Sequence, residues 1–155
     1  MKFSVLAVLL CSAALKPAHA QELAACRDPS GPTYFHYAGG ATKEGAGWSK
    51  DQISGGRISL VRAGSQLDVL FTDVRSKPFS AVADGGLVVL LRISGEAATV
   101  MVNYPKSSEL YTFFKEKDGR FKFTMYQTKT GDNSPVPKSA LLLGDCEPFD
   151  FLGGK

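Results

Sequence analysis

Histidine is almost missing from this chain: two in 155 residues, His19 and His36. Cysteine is nearly as scarce, with three, and no pair has a Cys-x-x-Cys spacing. A structural zinc site needs four nitrogen or sulfur ligands, and a catalytic one usually three protein ligands rich in histidine, so no such metal site is expected. No Asp-x-Asp-x-Asp-Gly run is present to hold calcium. Gly-x-Ser-x-Gly is absent too, and a Ser-His-Asp arrangement would have to use His36. The glycine-rich stretches Gly45-Ala46-Gly47-Trp48 and Ser54-Gly55-Gly56-Arg57 lack the Lys-Ser/Thr of a phosphate loop. No catalytic residue, metal or cofactor is therefore assigned.

Excess charge is also lacking. The net charge of +3 includes Lys2 and Lys16, which lie in a leader without acids, so the rest of the chain carries only +1. That leaves no electrostatic reason to expect nucleic acid as a partner. The leader itself reads as an export signal. Lys2 precedes an apolar run over 3–15, and Ala18-His19-Ala20 is a small-x-small cleavage site, which makes 1–20 the signal and Gln21 the mature N-terminus. The run falls short of the roughly 20 apolar residues that span a bilayer, so no stable membrane insertion is expected after cleavage. The expected location is periplasmic or secreted. The 135 residues that remain after the first twenty suit one domain over 21–146, followed by a tail over 147–155. In that tail Phe149 and Phe151 are expected to dock and Gly153-Gly154 to fray. A monomer is expected.

Cys26 and Cys146 are the two cysteines outside the leader, 120 positions apart. An even pair in an exported chain predicts a disulfide, here one that ties the two ends of the domain together.

Turn signals and strand patterns fill the rest. Residues 33–37 favour a strand through their aromatics, and 38–56 read as a glycine-rich loop around Trp48 with room for a helical turn at 49–53. Residues 57–62 and 67–73 form a hairpin about Ala63-Gly64-Ser65-Gln66, and Arg75-Ser76-Lys77-Pro78 is a polar link. Strands follow at 79–83, 87–94, 98–104 and 110–116, and Lys117-Asp118-Gly119 is a strong hairpin signal. Over 120–129 the alternation is clean: Phe121, Phe123, Met125 and Gln127 take one face, and Lys122, Thr124, Tyr126 and Thr128 the other. A last short strand at 139–143 leads to Cys146. The fold class is all-β: a single antiparallel meander of about eight strands closing as a small barrel or sandwich. Residues 87–93 are apolar on both faces except for Arg92, which predicts a doubly covered strand or a wall between core and ligand cavity.

Three functions fit. The leading one is a non-catalytic exported domain that binds a small molecule or glycan in a barrel mouth or on a sheet face. Its candidate contacts are Tyr34, His36, Trp48 and Arg92, since aromatic rings stack on sugars and Arg and His supply polar anchors. The second is a protein-binding inhibitor of a hydrolase, using the loop around Trp48. The third is a hydrolase with an unrecognised carboxylate pair among Asp68, Asp73, Asp84 and Glu109. Solvated turn and strand-edge charges are the simpler account of those four acids.

Overall fold

A computed structural model describes residues 20–72, 77–130, 134 and 136–152, and every regular element in it is a β-strand. Residues 1–19 of the expected export segment lie outside the described residues, as do Asp73, Arg75, Ser76 and the Gly153-Gly154 end of the tail. Ten strands are present: β1 Gln21–Phe35, β2 Gly47–Gln52, β3 Arg57–Ala63, β4 Gln66–Thr72, β5 Phe79–Ser80, β6 Leu87–Ile93, β7 Ala97–Tyr104, β8 Ser107–Lys115, β9 Phe121–Lys129 and β10 Lys138–Cys146. All pair antiparallel in one sheet, ordered β5-β4-β3-β1-β10-β9-β8-β7-β6, with β2 also beside β1. The sheet curls into a half-barrel. Cα atoms of β4 and β6 come within 8 Å across the gap, but no ladder joins them among the described residues.

The all-β class holds, while the single meander of eight strands does not. β3 to β5 and β6 to β10 each run as meanders, but β1 sits between β3 and β10 and joins them. β1 is long because its first half is apolar and buried at Leu23, Ala24, Ala25 and Cys26. This half pairs with β3, and the second half pairs with β2 on the same side. β2 and β3 thus act as one bent strand, broken where Asp28-Pro29 bulges from β1. The Asp28 amide donates to Gly56 O (3.0 Å), the Gly55 amide to Asp28 Oδ1 (2.6 Å) and the Ile53 amide to Pro29 O (2.9 Å). Proline is tolerated there because the ladder changes partner at that point and needs no donor from residue 29. Gly31 lies two residues on, where a Cβ would stand 2.0 Å from Leu141 O, so only glycine fits against β10.

Residues 38–56 are accordingly not one loop. They contain β2, and Trp48 stands in a strand directly opposite Tyr34. The same pairing excludes a helical turn at 49–53.

Cys26 faces Cys146 in the β1–β10 register, and the two form a disulfide. In the chain-entropy view a loop of this length contributes about 4–5 kcal/mol.

β6 is the second departure. It is the end strand, not a covered one, with Leu87 63% and Leu91 54% exposed. Only Val88 and Ile93 pack against the core. The hairpins at β3–β4 and β8–β9 fall where the turn residues place them.

Inside the curl, side chains stack in layers perpendicular to the strands. At one end Phe113 and Phe123 pair across β8 and β9 with ring centroids 6.1 Å apart. Phe151 closes on Phe113 from the tail (6.4 Å), and Phe149 meets Phe121 (4.8 Å). Gly144 on β10 makes room: a Cβ there would lie 2.4 Å from Phe123 Cε1. This end is plugged.

Candidate functional site

The other end is open. Moving from the plug toward the mouth, the inward residues of β8 run Phe113, Tyr111, Glu109, Ser107, and those paired on β9 run Phe123, Met125, Gln127, Lys129. One residue pair per layer therefore changes from aromatic, to mixed, to polar, to charged. Above the Phe113–Phe123 layer lies a cavity of about 500 Å³. That volume falls within the usual range of small-molecule sites.

Its apolar wall comes from Val69 and Phe71 on β4, Phe79 on β5, Ile53 and Met125. Ala81 and Asp84 reach it from the turn between β5 and β6, Tyr104 from the end of β7, and Pro105 and Lys106 from the turn between β7 and β8. Lys129 and Lys138 complete the rim. Lys138 Nζ is tied to Asp51 Oδ2 at 2.5 Å and stands 6.0 Å from the centre of the Phe35 ring.

The polar layer is a closed set of contacts. Tyr111 donates its hydroxyl to Glu109 Oε2 (2.6 Å), and Gln127 Nε2 donates to Glu109 Oε1 (2.5 Å). Glu109 is only 9% exposed, Gln127 6% and Tyr111 3%. Both donors are neutral, so the carboxylate meets no cation among the described residues. Burial pushes the Tyr111 hydroxyl well above its ordinary range, and the charge of Glu109 adds to the effect. Tyr104 is pushed up to about 12, first by burial and then by Glu109, Asp84 and Asp68. Asp68 is itself held by the Ser80 hydroxyl (2.5 Å) and the Val82 amide (3.0 Å). The inner wall of the cavity therefore carries negative potential, and Lys106 and Lys129 carry positive charge at the rim.

The candidates named from sequence lie elsewhere. Tyr34 and Trp48 meet edge to face on β1 and β2 (5.4 Å), with His36 5.8 Å from Tyr34. His36 Nε2 shares a 3.0 Å hydrogen bond with Ser139 Oγ. Trp48 is 75% exposed. These three form one aromatic cluster, but none lines the cavity. Arg92 is not with them; it lies on β6, five strands from β1 across the sheet. The structure also leaves Leu87, Val89 and Leu91 out of the cavity wall.

From sequence Glu109 was weighed only as one of four acids for hydrolysis, and its layer with Tyr111 and Gln127 was not recognised. The signal was present. If β8 begins at Ser107 and not at Leu110, Glu109 falls on the same face as Tyr111 and Phe113, directly across from the inward series of β9. Asp84 and Glu109, two of the four acids considered for hydrolysis, both line the cavity. No group of three or more His, Cys, Asp or Glu side chains is placed to hold a metal among the described residues. The chain matches no protein-family model, and no curated protein or solved structure is significantly similar to it.

Proposed function

We propose that this protein is an exported, non-catalytic domain that binds a small molecule in the open end of its half-barrel. The observation that carries this reading is the buried polar layer Glu109–Tyr111–Gln127 in a cavity that is apolar on its β4 and β5 side. A buried carboxylate without a counter-ion costs stability, and apolar residues of similar volume would often hold the same position at no loss. Its presence beside open space, two layers above a close-packed aromatic plug, fits recognition better than folding. The Cys26–Cys146 disulfide is compatible with an oxidising compartment and so with export.

The environment-sensitive dye 8-anilinonaphthalene-1-sulfonate tests the site. Its naphthalene body suits the Val69, Phe71 and Met125 wall, and its sulfonate suits the lysine rim. The folded protein should enhance the dye's fluorescence, and Ala81→Phe, which fills the cavity, should remove most of that enhancement while the protein still unfolds cooperatively. Equal enhancement by both proteins would place the dye elsewhere and refute the reading.

A carboxylate-pair hydrolase is the second reading, favoured by the shared placement of Asp84 and Glu109. It ranks lower because both Glu109 oxygens already accept hydrogen bonds within the sheet. The inhibitor reading keeps the exposed Trp48 but loses the loop on which it depended.

A further inference from the structure

Charge in the open cavity is arranged along the strand direction. On β8 and β9 the Glu109–Gln127 pair lies one inward step below the Ser107–Lys129 pair, a rise of about 7 Å over two residues. Glu109 thus sits at the depth of the cavity and Lys129 at its lip. Lys106 joins the lip from the turn between β7 and β8. Of the three lysines that line the cavity, Lys138 is neutralised by Asp51, whereas Lys106 and Lys129 form no ion pair among the described residues.

The deep carboxylate is equally uncompensated. Each oxygen accepts one hydrogen bond from a neutral donor, and a carboxylate has about four acceptor sites, so capacity remains toward the cavity. Asp84 lines the same wall, and Asp68 adds negative potential from behind it. A cation is therefore favoured at depth and an anion at the lip. Beside these charges the lining is apolar on its β4 and β5 side, formed by Val69, Phe71 and Phe79.

We propose that the cavity takes a zwitterion, with an ammonium group on Glu109, a short apolar body against Val69, Phe71 and Phe79 of β4 and β5, and an acidic group between Lys106 and Lys129. This rests on the small-molecule reading of the same cavity. A simple amine would leave the two lip lysines unmatched, and a simple acid would meet Glu109 as a like charge.

Calorimetric titration with 6-aminohexanoate, n-hexylamine and hexanoate tests it, since the three share an apolar chain and differ only in charge. 6-Aminohexanoate should bind at least about tenfold more tightly than either of the others, as expected for one added charge-assisted contact. Lys106→Gln with Lys129→Gln should cut 6-aminohexanoate affinity about tenfold and leave hexylamine unchanged or improved. Glu109→Gln should weaken both amines and spare hexanoate. Lys106 is exposed and Lys129 half-buried, so the lip variant does not depend on the buried layer surviving substitution. Equal affinity for 6-aminohexanoate and hexanoate, or insensitivity of 6-aminohexanoate to the lip variant, overturns the proposal. If none of the three binds while the dye still reports an Ala81-sensitive site, the zwitterion falls and the cavity reading stands. If the dye also ignores Ala81→Phe, both fall.

Discussion

The two ends of the half-barrel are built on the same strands and solve opposite problems. At the plugged end Phe113 and Phe123 face each other, Phe151 caps them from the tail, and Gly144 gives up its side chain so that the rings can fit. At the open end, two layers away, the corresponding pair is Glu109 and Gln127, and the space above it is empty. The backbone does not change between them: the β8–β9 register runs unbroken from Ser107↔Lys129 to Lys115↔Phe121. Side-chain choice alone converts one hydrophobic interior into a plug and a polar-floored cavity. The plug makes the fold stable, which allows the mouth to carry a costly carboxylate.

The largest expected contrast follows from that division. Phe123→Ala should cost about 3–5 kcal/mol in urea unfolding, because a fully buried ring leaves a cavity that the flanking strands cannot close. A loss below about 1 kcal/mol would mean that the plug is not where stability resides.

A smaller contrast lies in the polar layer. Tyr111→Phe removes one donor from a buried carboxylate and should cost about 1.5–3 kcal/mol. In a background of Glu109→Leu with Gln127→Leu the same substitution should cost little, and that background should be as stable as the parent or more so. Non-additivity of this kind is the mark of a coupled network. Strict additivity would make the three residues independent and the layer an accident of packing.

How much of this was legible depended on the strand. β9 was read correctly from alternation, with Phe123, Met125 and Gln127 inward, because one face of it is solvated and period 2 survives in the sequence. β8 was only partly legible. Its first residues, Ser107 and Ser108, follow Pro105-Lys106 and pass for a turn, so Glu109 read as a solvated charge and not as an inward position. β1 hid behind Asp28-Pro29-Ser30-Gly31-Pro32, a turn composition used here as a bulge within a long strand. β6 was misplaced for a different reason. Its apolar residues do favour a strand, but whether a strand is central or terminal depends on which others pair with it, and no local pattern records that. Trp48 was read as the centre of a glycine-rich loop, yet its place in a strand away from the cavity follows from pairing with Tyr34, which no local pattern records.

The smallest contrast is alkaline. The plug contains phenylalanine and no tyrosine, whereas Tyr104 and Tyr111 both line the open cavity. Tyr104 holds its proton up to about 12, against an ordinary value of 10.0, because it is half-buried and feels the charges of Glu109, Asp84 and Asp68. Between those two pH values the unfolded chain has released this proton and the folded protein has not. The folded state then binds more protons, and unfolding free energy must fall as pH rises through the window, with no slope from this group below it. Tyr104→Phe should therefore flatten part of the alkaline decline in stability, and tyrosinate absorbance should show one fewer late-titrating group. Phe123→Ala should lower stability by the same amount on both sides of the window. If Tyr104→Phe and its parent declined in parallel, the negative potential assigned to the inner wall would be wrong, and with it the electrostatic difference between the two ends.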